Sequence, residues 1–179
     1  TVIARLRRPL DFAALTDHGE LLGEMNVCTE EGFSLARYSP LCFMTRSDII
    51  YVQFLAADWW KNVGIDRTGS GDRAYVCDLP GSDCAKGLKD FWGNIQQAAE
   101  DHYDRSAACD FTTFVAYEYS DAPEFRNLHR NVIFRNERVT RAPISAYETG
   151  VRNVPELWRR LQAECIDGKE GCDVLAIPH

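Results

Sequence analysis

The sequence predicts an α/β domain built on a largely parallel sheet or on part of a barrel. Three observations carry this: short apolar runs of strand length at 10–15, 111–119, 132–134 and 173–177, amphipathic helical stretches between them, and an order in which strands and helices alternate. At 179 residues, 45% of them hydrophobic, the chain has the size of one domain with a real core. No internal repeat divides it, so 1–179 reads as a single unit.

Leu10, Phe12, Ala13, Ala14 and Leu15 form an apolar run closed by Thr16, Asp17 and His18, which reads as a buried strand with polar residues at its carboxyl end. Residues 21–86 are irregular and hold most of the cysteines, so they read as a long inserted loop region. Within it, 47–61 predicts a helix capped by Ser47, with Ile50, Phe54, Leu55 and Trp59 near one face. That insertion is expected to cover the mouth of a site, or to form a small satellite core, which its length favours. Leu88, Phe91, Trp92, Ile95, Ala98, Ala99 and His102 recur at helical spacing and predict a helix over 88–103. His102 falls in its last turn, where a cation favours the helix dipole, so it reads as a structural group. Thr, Phe, Val and Tyr dominate 111–119, a strand with Glu118 near its end. Val132, Ile133 and Phe134 form another strand, with His129 just ahead of it. Pro155 suits a first helical turn, and Leu157, Trp158, Leu161 and Cys165 define one face of a helix ending by Gly168. The last strand is 173–177, followed by Pro178 and His179.

Twenty basic residues against twenty-seven acidic give a formal net charge of −7, which argues against broad binding to nucleic acid or anionic membranes. No run reaches the roughly 18 to 20 apolar residues needed to span a bilayer, and the first residues lack a signal-peptide core. A soluble mature chain is expected. Seven cysteines are many for a reduced domain of this size. Cys77 and Cys84, Cys165 and Cys172, and Cys28 and Cys42 each flank a short loop, and none has zinc-like C-x-x-C spacing. At least two disulfides are therefore expected, with Cys109 left over, in a periplasmic or secreted protein. Connectivity is not fixed by sequence, and scattered thiols are the plainer alternative.

The most informative pattern is a set of residues at the ends of the apolar runs. The chain has four histidines, and His18, His129 and His179 occupy such places together with Glu118. A lone histidine at a strand end is more often a hydrogen-bonded structural group than a ligand. Four candidates with one placement point instead to a shared metal site, because imidazole and carboxylate suit zinc, manganese or iron(II).

The runs around these residues carry a resemblance. Residues 10–18 (LDFAALTDH) with Glu20, 112–119 (TTFVAYEY), 127–135 (NLHRNVIFR) and 174–179 (VLAIPH) resemble an uncharacterised bacterial family related to the PHP (polymerase and histidinol phosphatase) metal-dependent hydrolases. The likeness runs over nearly the whole chain; the Asn-Leu-His-Arg-Asn-Val run is its most specific part, whereas Thr-Asp-His alone is weak. It implies part of a distorted (β/α)7 barrel with two or three metal ions at the carboxyl ends of the strands. His18, Glu118, His129 and His179 would then be metal ligands, with Glu118 bridging two ions. The His-x-His and Asp-x-His pairs of the superfamily would lie before Thr1 and after His179, so 1–179 is expected to be a central fragment with little activity by itself.

The chemistry implied is hydrolysis of a small-molecule substrate, most simply a phosphoester, by a metal-activated water, with paired ions about 3.5–4 Å apart. That agrees with the absence of a G-x-S-x-G or P-loop pattern. Asp17 is a candidate for orienting a ligand imidazole, and Glu20 for the same role or for carrying a proton. Arg126 and Arg130 flank His129 and are candidates for pairing with a substrate phosphate, against surface ion pairs as the plainer role. Two other functions compete: a non-catalytic binding or structural domain with a degenerate metal site, and hydrolysis of a non-phosphate bond on the same metals.

Overall fold

The structure is a computed structural model that describes residues 6–30, 34–63, 73–122, 127–150 and 152–179. Its strands are β1 (Phe12–Ala14), β2 (Thr112–Phe114), β3 (Ala116–Tyr119), β4 (Arg130–Phe134) and β5 (Val174–Pro178). The helices are α1 (Leu22–Thr29), α2 (Pro40–Thr45), α3 (Ile50–Val63), α4 (Cys84–His102), α5 (Ala146–Thr149) and α6 (Val154–Leu161). This is the expected mixed α/β class. Instead of a closed barrel, the described residues form a two-stranded pair, β1 with β2, and a three-stranded sheet in the order β3-β4-β5.

β1 runs parallel to β2, and the pairing is taken up again by a parallel bridge between His18 and Glu118. β4 lies antiparallel to both β3 and β5, which departs from a largely parallel sheet. The physical reason is the short link between Tyr119 and Arg130, since a parallel return needs a crossover of a dozen or more residues. Antiparallel β4 places its amino end, where His129 sits, beside the carboxyl ends of β3 and β5. The three strand ends that carry candidate ligands therefore meet.

Alternation along the strands separates two faces. Tyr117, Val132 and Ala176 share a rung and face a core completed by Trp92 of α4 and by Leu157 and Leu161 of α6. Glu118, Asn131 and Ile177 share the next rung and face the other way. In the core, the Trp92 ring stands edge-on to Tyr117 with centroids 5.8 Å apart and tilts over Phe134 at 6.0 Å. Its indole N–H donates to the Thr140 carbonyl at 3.0 Å.

Much of the expected loop at 21–86 is helical and forms a satellite core in which Cys28, Leu41, Cys42, Trp60 and Val76 are buried. It docks on the main body through α1 and α4. A Cβ on Gly23 would lie 2.3 Å from the Cys84 carbonyl oxygen, so only glycine lets the two helices approach this closely. α3 shows the predicted helix but not the predicted face: Ala56 and Trp60 are buried, whereas Ile50, Phe54 and Leu55 are exposed. Burial follows what the satellite core can accommodate, which apolar spacing alone does not specify.

α4 begins at Cys84, capped by Asp83, whose carboxylate accepts from the Lys86 N–H. It ends at His102, whose Nδ1 lies 2.9 Å from the Ala98 carbonyl oxygen, as suits a structural group at a helix end. α6 passes into a π turn (Gln162–Ile166) that keeps Cys165 buried, while Trp158, expected on the same face, is exposed. Cys28–Cys42, Cys77–Cys84 and Cys165–Cys172 are disulfide-bonded, and Cys109 is free and exposed. These bonds fit an oxidising compartment. Among the described residues no helix is long and apolar enough to cross a membrane.

Candidate metal centre

The site begins with the loop after β1. Glu118 N–H donates to the Asp17 carbonyl at 2.8 Å, which draws His18 alongside β3. Gly19 eases this approach, because a Cβ there would lie 3.0 Å from the Tyr117 ring and 3.2 Å from the Glu118 carbonyl oxygen, tight enough to push those neighbours back by a few tenths of an ångström. The glycine after Thr-Asp-His thus serves to seat the histidine.

Glu118 stands at the centre of three imidazoles. Its Oε1 lies 2.8 Å from His129 Nδ1 and 3.1 Å from His18 Nδ1, and its Oε2 lies 3.0 Å from His179 Nε2. The ligating atoms of Glu118, His129 and His179 all fall within 4.8 Å of one another, a span one cation can bridge. His18 joins through Glu118 and through Ser120, whose hydroxyl donates to Glu118 Oε1 at 2.7 Å and lies 2.6 Å from His18 Nδ1. His129 is mostly enclosed, with 13% of its side chain accessible, whereas His18 and His179 are about half exposed at 45% and 47%. The cluster therefore has a closed floor and an open mouth.

Burial alone would raise the Glu118 carboxyl. The Ser120 hydroxyl, the charges of His18 and His129 and the bond to His179 together outweigh it and hold Glu118 below its ordinary value. Burial pushes the His129 imidazole down, aided by the neighbouring His18 and His179 and opposed by Glu118. An anionic carboxylate and a neutral imidazole are the forms in which these groups bind a metal. Donor types, spacing and protonation all fit a divalent cation.

The other expected site residues are dispersed. Asp17 contributes its backbone carbonyl, while its exposed side chain lines a cavity between β1, β2 and α4 and alternates away from the His18 face. Arg130 pairs with Tyr119 on the opposite face from Glu118 and donates through Nη1 to the His129 carbonyl at 2.7 Å. Arg126 lies outside the described residues.

Glu20 is wholly buried behind the site, its Oε1 accepting from Ser120 N–H at 3.1 Å and from Ala146 N–H at 2.9 Å. Burial pushes its carboxyl up to about 8, against the lowering effect of those two backbone donors. Its carboxyl braces the backbone behind the site through these two bonds. Between the ordinary glutamate value and about 8 the unfolded chain ionises while the folded protein keeps its proton, so this group's contribution to stability falls as pH rises across that window. Glu20→Gln, which stays neutral, should accordingly gain stability relative to the metal-free wild type between about pH 5 and 8, on the order of a few kcal/mol. Urea unfolding at several pH values reads this directly; a difference that does not vary with pH contradicts it.

Two members of the site were not assigned to it from sequence: Ser120 was not singled out, and Asn131, expected to set a turn beside His129, lies in β4. Ser120 lies two residues after Glu118 and Asn131 two residues after His129, the spacing that keeps side chains on one face of an extended chain. Asn131 sits directly across from Glu118, with its Oδ1 buried and without a hydrogen-bond partner. The period-two rule applied to each ligand would have found both.

Fold and site together define a mixed α/β domain with a carboxylate and imidazole cluster at one end of its sheet. The chain belongs to the family described as "Protein of unknown function (DUF3604)", whose model matches residues 2–179. No curated protein and no solved structure matches it.

Proposed function

We propose that this chain carries part of the centre of a metal-dependent hydrolase, with phosphoesters as the favoured substrate class. The convergence of Glu118, His129 and His179 within 4.8 Å supports this reading most strongly. The resemblance of the surrounding runs to PHP-related hydrolases supports the barrel, the additional metals and the choice of phosphoesters. Zinc, manganese or iron(II) bound there would supply a Lewis acid and a water activated near neutral pH.

The protein's own contributions follow from the geometry. Glu118 supplies negative charge at the centre, and Ser120 fixes that carboxylate by donating to Oε1. His129, enclosed and held neutral, offers Nδ1 as a rigid donor, while His179 and His18 stand at the open mouth where substrate would approach. The disulfides agree with a periplasmic or secreted location.

Turnover of a generic phosphoester by the full protein tests the proposal. Zinc or manganese should stimulate it, and His129→Ala should abolish it while leaving the fold intact. A metal-loaded protein inert across a panel of phosphomonoesters and phosphodiesters contradicts the phosphoesterase reading.

A further inference from the structure

We infer that Asp121 is a positioning residue, the outer carboxylate that orients His129 by accepting its Nε2–H through a bridging water; the inference rests on the metal-centre reading above. His129 directs Nδ1 at Glu118, so its other ring nitrogen points away from the cluster. That Nε2 is buried and without a partner. Asp121 is fully buried, and its Oδ1 is likewise unpartnered. Buried polar atoms left alone are costly, so two in one neighbourhood call for a joint explanation.

The neighbourhood is fixed by the backbone. The Asp121 carbonyl accepts from Leu128 N–H at 2.7 Å, which pins Asp121 beside the residue preceding His129. Burial raises the Asp121 carboxyl above its ordinary value, against the lowering effect of the Arg152 N–H and of the nearby His129 charge, so the two side chains are close enough to interact. When Nδ1 gives its lone pair to a cation, the neutral ring must carry its proton on Nε2, and that proton needs an acceptor. The two atoms are not hydrogen-bonded to each other, and Asp121 Oδ1 meets the need through one bridging water. Carboxylates behind metal-bound histidines commonly fix the tautomer and the ring orientation in this way.

The second carboxylate oxygen makes the role separable from a structural one. Oδ2 accepts from Arg152 N–H at 2.6 Å. An asparagine at 121 has a single acceptor oxygen, which can keep the bond to Arg152 N–H; its amide nitrogen would then present a donor, not an acceptor, to the water that receives Nε2–H. Asp121→Asn should leave the unfolding midpoint of the metal-free protein unchanged and weaken zinc binding by about 10- to 100-fold.

Zinc titration of wild type and Asp121→Asn, combined with long-range proton–nitrogen NMR of the zinc-loaded wild type, forms the test. The expected result is the affinity loss together with a slowly exchanging, downfield Nε2 proton on His129. The NMR part does not depend on the variant's fold. Equal zinc affinity in a folded Asp121→Asn, or a fast-exchanging Nε2 proton in wild type, overturns the inference while the metal centre stands. Wild-type protein that takes up no zinc overturns the metal centre itself, and this inference with it.

Discussion

Glu118→Gln will lower the affinity for divalent cations by more than about 100-fold, beyond the 10- to 100-fold typical of losing an outer partner of a metal ligand. Glutamine preserves the size of the side chain and can still accept from the Ser120 hydroxyl through its carbonyl oxygen. What it removes is the negative charge facing His18, His129 and His179 at 2.8 to 3.1 Å. Only imidazoles remain near a cation, with no anion to offset its charge. Competition against a chelator of known affinity measures the loss, and the metal-free variant should unfold cooperatively like wild type. Affinity within a few-fold of wild type would mean that the cation is held elsewhere.

Trp92→Ala carries the largest expected effect on stability. Trp92 is 1% exposed, packs against Tyr117 and Phe134, and donates its indole N–H to the Thr140 carbonyl. Removing the ring opens a cavity behind the middle of the sheet and leaves a carbonyl without its donor. Changes of this kind cost about 3–5 kcal/mol, which in a domain of this size lowers the melting midpoint by on the order of 10 °C. The loss should be mainly one of stability, because the ring lies on the core face while the ligands occupy the other. Metal affinity at a temperature where the variant remains folded should therefore change far less than in Glu118→Gln. Calorimetry with and without metal separates the two; an unchanged midpoint would show that this core is not the one supporting the sheet.

The sequence made the ligand candidates legible because strand ends are local features. An apolar run stops, a polar residue follows, and His18, Glu118, His129 and His179 each mark such a point. The long helix α4 was legible for a similar reason, since its apolar spacing persists over many turns and His102 marks its last turn, whereas its first turn at Cys84, capped by Asp83, falls in the stretch expected to be loop. The direction of β4 depends on the length of the link from Tyr119 to Arg130, which the alternation of strands and helices does not encode. The exposed face of α3 shows a second limit. Ile50, Phe54 and Leu55 have helical spacing, but Ala56 and Trp60 are the residues that find partners in the satellite core. Asp17 and Ser120 show a third: adjacency to a ligand in sequence sends a strand side chain to the opposite face, whereas a separation of two brings it back.

X-ray absorption at the zinc edge of the zinc-loaded protein tests the central claim most directly, because it sees the ligands and not the activity. The predicted spectrum shows nitrogen and oxygen neighbours with outer-shell imidazole scattering, and that scattering diminishes when His129 and His179 are both replaced by alanine. A spectrum without imidazole scattering, or one unchanged by the double substitution, would contradict a metal centre built on Glu118, His129 and His179.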